Sequence, residues 1–509
     1  MICRTPRIVV VGAGIGGLAA AVELAHQGCD VTVLERASAS GGKARAIPVG
    51  ESLVEVGPTV LTMRWVFDEL FASTGRSLDD YVGLEPLDVL ARHAWGDGSR
   101  LDLFSDRQRS AAAIGELAGA DEARRFIAFS EYAEKIWEAA EGPFVLAQRP
   151  SWLDILKRLG TVGVGAMLRI DGHRTMAKAL DGAFGDARLR QLFGRYATYC
   201  GASPYEAPAT FHLVAHVESR GVHRVRGGIS ALAAALERRA RELGAWVRHD
   251  AEVSEVLTGA GGAAGVQLAS GEIVEADAVV VNADVNALAS GLLGRAGAGS
   301  APATAPDARS LSAMTLALVA DVTGWPLEHH NVAFSDDYAA EFEAMLGRRV
   351  VPQDPTVYAC AQGPAHEAGA QRLLLIVNAP ATGDEPDRWS PEERLRCERA
   401  AYSTLERCGL SLSPRASVQT TPVELERAFP ATGGALYGPR PRGALSSFAR
   451  AGARTKVPRL YLAGGSVHPG PGVPMVALSG RLAAACIRED LASTARSRPA
   501  AIAGTMSTA

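Results

Sequence analysis

The residues best placed to do chemistry are four glycines and one acid near the N-terminus. In IVVVGAGIGGLAAAVELAHQGCDVTVLERASASGG, residues 8–42, Gly12, Gly14 and Gly17 stand at G-x-G-x-x-G spacing, with Gly16 between the last two. Such a loop gives a tight turn, bare backbone against a pyrophosphate, and close helix-to-strand packing. The helix start that follows turns unpaired N–H groups and a positive dipole end toward the phosphates. Glu35 lies eighteen residues past Gly17, near the position of an acid that holds a ribose hydroxyl. The elements needed to position these groups surround them. Ile8 to Val11 is a β-branched run suited to a buried parallel strand. Leu18 to Ala25 reads as a helix, and Val31 to Leu34 as a second strand ending at Glu35. Strand, glycines, helix, strand and acid in that order predict a dinucleotide site.

Arg36 follows the acid, and then Gly41-Gly42-Lys43. The glycine pair lets backbone approach a ligand closely, and Lys43 or Arg45 could meet phosphate oxygens. An exposed turn with a solvated lysine is the alternative. Val54 onward alternates as a strand into Gly57-Pro58, after which Val66, Phe67, Leu70 and Phe71 recur at helical spacing.

The 509 residues suffice for two or three domains' worth of structure. Hydrophobic content of 47% and charged content of 21% are those of a soluble globular chain. A net charge of −4 gives no reason to expect nucleic-acid binding. The seven cysteines are scattered without a C-x-x-C pair and read as reduced thiols in a cytoplasmic protein. No signal peptide is expected, because the glycine fingerprint already explains the first apolar run. The charge-free stretch Leu460 to Gly480 carries Pro469, Pro471 and Pro474 and so does not read as a spanning helix. No metal motif is visible: H-E-x-x-H is absent, and His329-His330 lie side by side without partners at ligand spacing. No G-x-S-x-G nucleophile elbow occurs.

Further along, ERASASGGKA and EVGPTVLT resemble the flavin-binding N-terminal segment of the bacterial phytoene desaturase family of carotenoid desaturases. That family has the flavin amine-oxidase-like fold. GASPYEAP, with Gly201, Ser203, Pro204, Ala207 and Pro208, is similar to the family's G-x-S-P-x-x-A-P pattern. LYLAGGSVHPGPGVPM, Leu460 to Met475, carries the most specific likeness. Glu55 stands where the family usually has aspartate, and His223-Arg224-Val225 replaces the usual aromatic and proline before Arg226-Gly227-Gly228.

The resemblance implies an α/β fold: a discontinuous Rossmann-type FAD-binding domain over 1–80, 221–293 and 423–495. It also implies an inserted α+β substrate domain over 81–220 and 309–422, the first part rich in helix. Residues 294–308, an Ala/Gly/Pro/Ser run, read as a linker, and 496–509 as a disordered tail. FAD is the expected cofactor, since a nicotinamide site needs one compact fold and leaves the C-terminal return unexplained. By resemblance the cofactor-binding set is Gly12, Gly14, Gly16, Gly17, Glu35, Arg36, Gly42, Lys43, Gly57, Pro58, Thr59, Arg226, Gly227, Val253, Gly464, Gly465, Pro474 and Met475. The turn at Arg226 would sit close to the flavin ring and the Val253 backbone would hold the adenine. The helix start after Gly465 would approach the ring's carbonyl edge, where its dipole favours negative charge.

The implied reaction removes two hydrogens from neighbouring carbons of a long apolar polyene, with an unknown electron acceptor. VLTMR at Val60 to Arg64, the GGK turn and the C-terminal motif look closest to the branch that 3,4-desaturates 1-hydroxy- or 1-methoxy-carotenoids in spheroidene and spirilloxanthin synthesis. Phytoene desaturation is the near alternative. A flavin amine oxidase or a non-catalytic prenyl-lipid escort protein is more distant. His468, in the closing motif, is the candidate catalytic group near the substrate; a histidine bonded within its own turn is the competing reading. Trp152, Ile155, Leu156, Leu159 and Val162 share a helical face edged by Lys157 and Arg158. That face suits either a core or a membrane surface. A lipid-soluble substrate favours the surface, hence a cytoplasmic protein bound peripherally to the inner or photosynthetic membrane.

Overall fold

The computed structural model describes residues 4–149, 170–363, 369–443, 446 and 450–496. The chain runs β1 (Arg7–Val11), α1 (Ile15–His26), β2 (Asp30–Leu34), β3 (Val89–Ala94) and β4 (Arg100–Phe104). It continues through α2 (Ile229–Glu242), β5 (Trp246–Arg248), β6 (Ala278–Val281), β7 (Ser312–Gly324), β8 (His330–Ala333) and β9 (Val357–Ala361). It ends with β10 (Gln371–Ala379), β11 (Leu410–Thr420), β12 (Leu460–Leu462) and α3 (Val473–Arg496).

Five strands in the order β12-β6-β1-β2-β5 form one parallel sheet. Three distant stretches of sequence therefore share it: residues near 10 and 30, near 250 and 280, and at 460. The β-branched runs explain the centre, since Ile8, Val9 and Val10 of β1 and Val279, Val280 and Val281 of β6 are sealed on both faces. Helix α1 lies against α3 and α2. The α1–α3 crossing is close: a Cβ on Gly480 would stand 2.1 Å from the Gly16 carbonyl oxygen. Only glycine fits there, and the crossing pulls the C-terminal helix onto the glycine loop.

A second sheet, β11-β7-β10-β9-β8-β3-β4, carries the other half of the molecule. It is antiparallel except where β8 runs parallel to β3. The first inserted stretch is thus not simply helical. β3 and β4 form a hairpin whose turn is pinned by the Ser99 N–H donating to Asp97 Oδ1 at 2.8 Å. A six-residue alternation is too short to stand out beside the 21-residue helix Ala120–Ala140. The apolar face from Trp152 to Val162 and the tail from 497 lie outside the described residues. No described helix is long and apolar enough to cross a membrane.

Candidate functional site

The site begins at the C-terminal ends of β1, β2 and β6, the edge where parallel α/β sheets bind ligands. Gly12 leaves β1 with φ +97°, a left-handed turn that brings Ala13 beneath β2. The Ala13 N–H donates to Glu35 Oε2 at 2.7 Å, and the Ala37 N–H to Oε1 at 2.9 Å. Each carboxylate oxygen keeps a lone pair for a further donor. Helix α1 starts at Ile15 with Gly14 as its cap residue and no side-chain cap. Its first N–H groups therefore remain available to an anion.

Asn282 stands just past the end of β6, at the same sheet edge. Its Nδ2 donates to the Ala463 carbonyl at 3.0 Å. Its Oδ1 is buried without a hydrogen-bond partner among the described residues. A Cβ on Gly14 would stand 2.7 Å from that oxygen, and a Cβ on Gly16 would meet Asn282 Nδ2 at 2.9 Å and the Gly464 nitrogen at 3.2 Å. The first and last glycine turns therefore meet across Asn282. The Gly464 N–H donates to Ser479 Oγ at 3.2 Å, which fixes the turn on α3. Gly465 is half-buried beside Val476, and Pro474 and Met475 form the first turn of α3.

Two cations converge on the same region. Lys43 Nζ donates to the Leu436 carbonyl at 2.5 Å and lies 5.3 Å from the Phe429 ring centroid. Burial lowers its ammonium below the ordinary lysine value, with Asp284 opposing the shift. Arg450, which no sequence signal marked, is buried and donates to the carbonyls of Tyr437 at 2.7 Å and Gly465 at 3.1 Å. Burial lowers it too, again against Asp284. These side chains buttress the backbone around the C-terminal turn.

Other expected residues fall less simply. Gly57 packs its Cα against the Lys43 carbonyl, only 2.1 Å from where a Cβ would sit. Pro58 is half-buried beside it, and Thr59 Oγ1 lies 2.6 Å from the Tyr358 hydroxyl. Gly42 stacks on the Gly14 Cα. Val253 follows Ala251, whose N–H donates to the Glu35 carbonyl at 2.8 Å. Glu55, by contrast, caps a helix: its carboxylate takes the Ser230 N–H at 3.2 Å and the Ser230 hydroxyl at the start of α2. Arg36 is exposed and bonds the Ala428 carbonyl, and Arg226 is exposed and pairs with Glu85 at 2.5 Å. Gly227, also exposed, offers only backbone.

His468 sits in the closing motif. It is buried, and Nε2 bonds the Ala147 carbonyl at 3.0 Å, so it latches the C-terminal motif to another segment rather than to its own turn. Burial lowers its pKa. That bond gives His468 a part in holding the motif in place. The adjacent pair His329-His330 does acquire a neighbour that its spacing hid. Cys360, opposite His330 across β8 and β9, brings a third donor atom within 4.8 Å of both rings. Burial pushes the Cys360 thiol up to about 12, so it is protonated at neutral pH.

A glycine cradle, an orphaned amide oxygen, an acid at the end of β2 and a glycine turn closing from the C-terminus fit a bound dinucleotide. With the bipartite sheet they define an FAD-dependent oxidoreductase. The chain belongs to the flavin containing amine oxidoreductase family, whose sequence pattern matches residues 15–488. It is 48% identical over 512 residues to the hydroxyneurosporene desaturase of Rubrivivax gelatinosus, covering 99% of this chain and 97% of that protein. To the hydroxyneurosporene desaturase of Cereibacter sphaeroides it is 42% identical, covering 96% and 99%. A redesigned triple mutant of putrescine oxidase has the same fold, with TM-score 0.62 at 17% identity over 97% of this chain and 99% of that one.

Proposed function

We propose that the protein is an FAD-dependent desaturase of acyclic carotenoids that introduces the 3,4 double bond of 1-hydroxy- or 1-methoxy-carotenoids. The observation that carries this reading is the 48% identity, spread over almost the full length of both chains, to a hydroxyneurosporene desaturase. Putrescine oxidase shares the fold at 17% identity, which speaks for architecture and not for amine chemistry. Bound FAD supplies hydride-accepting chemistry. The chain's own work is to hold and orient. Gly12 to Gly17, Glu35 and Asn282 would grip the dinucleotide, and Gly464 to Met475 would close over it. Arg450 holds the Gly465 end of that closing backbone in place.

An apolar polyene reaches the enzyme from lipid, so we place the protein at a membrane surface. Leu146, 40% exposed, lies six residues before Trp152, where the apolar face begins, and supports this placement. Liposome flotation checks it, with charge insertion at Ile155 and Leu159 expected to abolish binding. For the reaction, the purified holoenzyme is given 1-hydroxyneurosporene or phytoene with an artificial electron acceptor. A red shift of the first polyene's absorption without change in the second supports the reading. Conversion of phytoene alone refutes it.

A further inference from the structure

A polar chain joins the second sheet to the flavin half beside an apolar core cluster. Thr59, next to Gly57-Pro58, has its Oγ1 2.6 Å from the Tyr358 hydroxyl on β9. That hydroxyl lies 2.6 Å from Nδ1 of His330 on β8. His330 is 2% exposed, and its Nε2 is sealed from solvent with no hydrogen-bond partner among the described residues. Burial, His329 and the buried Arg195 hold the ring well below its ordinary pKa. It is therefore neutral, with one nitrogen a donor and the other an acceptor. Strand β8 continues into apolar packing, as Val332 and Phe334 join Leu90 and Phe193 in one core cluster. The Gln362 amide locks this wall to the flavin side, accepting from the Glu55 N–H at 2.8 Å and donating to the Glu55 carbonyl at 2.7 Å.

A buried imidazole nitrogen without a partner is costly unless a ligand satisfies it. The substrate class proposed above carries one hydroxyl on an otherwise apolar chain. That oxygen is three bonds from C3, the nearer carbon of the new double bond. Whatever binds it must therefore stand next to the flavin, and His330 is two hydrogen bonds from Thr59 in the flavin-side segment. We propose that His330 Nε2 is the hydrogen-bonding partner of the substrate's tertiary C1 hydroxyl, and that the Thr59–Tyr358–His330 chain sets the register of the polyene. A hydroxyl both donates and accepts, so it satisfies either tautomer of the ring. A polyene end lacking it leaves the nitrogen unpaired, which is how a buried polar group among apolar side chains rejects an analogue. His330 is on this account a specificity-determining residue, while Tyr358 and Thr59 are positioning residues.

This inference rests on the carotenoid reading, and the test separates the two. Holoenzyme in detergent micelles is titrated with a 1-hydroxylated acyclic carotenoid and with the same polyene lacking the hydroxyl, binding being read from the shift of the visible bands. Wild type should prefer the hydroxylated form about tenfold or more. His330→Leu should bring the two dissociation constants within about twofold, and Tyr358→Phe, which removes one oxygen and keeps the ring, should give an intermediate ratio. Bound FAD and melting temperature report folding of each variant, and Tyr358→Phe decides if His330→Leu loses its cofactor. A preference that survives in a folded variant, or affinities for both polyenes that fall by the same factor, overturns the hydroxyl site and leaves the carotenoid reading standing. Wild type that binds neither polyene overturns both.

Discussion

Glu35 takes the backbone N–H of Ala13 at 2.7 Å, tying the acid at the end of β2 to the middle of the glycine loop. One carboxylate thus fixes the glycine loop and the start of the segment after β2. Glu35→Gln keeps the volume but loses the charge and sets an amide against an N–H. The expected cost is about 1.5–3 kcal/mol of FAD affinity, or a roughly ten- to hundredfold rise in Kd. Fluorescence of flavin released on dilution measures it, and an unchanged Kd would remove Glu35 from the site.

The crossing of α1 and α3 leaves no room for a methyl group at Gly480. Gly480→Ala should push α3 away from the Gly16 backbone, with a loss of about 1–3 kcal/mol. Because the closing turn rides on α3, bound FAD per chain should fall with stability. A calorimetric melt and a flavin spectrum on the same sample test the link.

His468 bonds the Ala147 carbonyl, so His468→Ala should act on stability rather than chemistry. About 1–3 kcal/mol of unfolding free energy is expected to be lost, with the pH profile of turnover keeping its shape. A hundredfold fall in turnover in a fully folded, FAD-loaded variant would mark it as a proton-transfer group.

Burial holds His212 at about 4 against an ordinary 6.5. Between those values the unfolded chain binds the proton and the folded chain does not. The contribution, on the order of 3 kcal/mol, is complete above pH 6.5 and drains away as the pH falls toward 4. Denaturant unfolding of wild type across that window should show falling stability, with a shallower slope in His212→Gln. Equal slopes would place the acid sensitivity elsewhere, for instance at His329, also held at about 4.

The flavin half was legible because its signals are local. Gly12 to Gly17 and Glu35 sit within one βαβ unit, and β1, α1 and β2 fall within a few residues of their predicted bounds. The C-terminal return was legible through a motif, Leu460 to Met475. Contacts between distant stretches were not. Arg450 has no motif around it and gains meaning only when three carbonyls close on it. Cys360 and Tyr358 reach the His329-His330 pair by strand register, about 30 residues away in sequence. Arg226 shows the converse: a turn matched by family likeness whose side chain Glu85 claims from outside the motif.

The central claim is that three separated pieces of chain hold one FAD against a polyene channel. The most direct measurement mixes anaerobic holoenzyme with one equivalent of a 1-hydroxylated acyclic carotenoid in liposomes and follows the visible spectrum in a single turnover. The account predicts one FAD per chain, loss of its visible absorbance, and a matching red shift of the polyene by one added double bond. A colourless protein, or flavin absorbance that stays intact while the bound carotenoid remains unchanged, would contradict it.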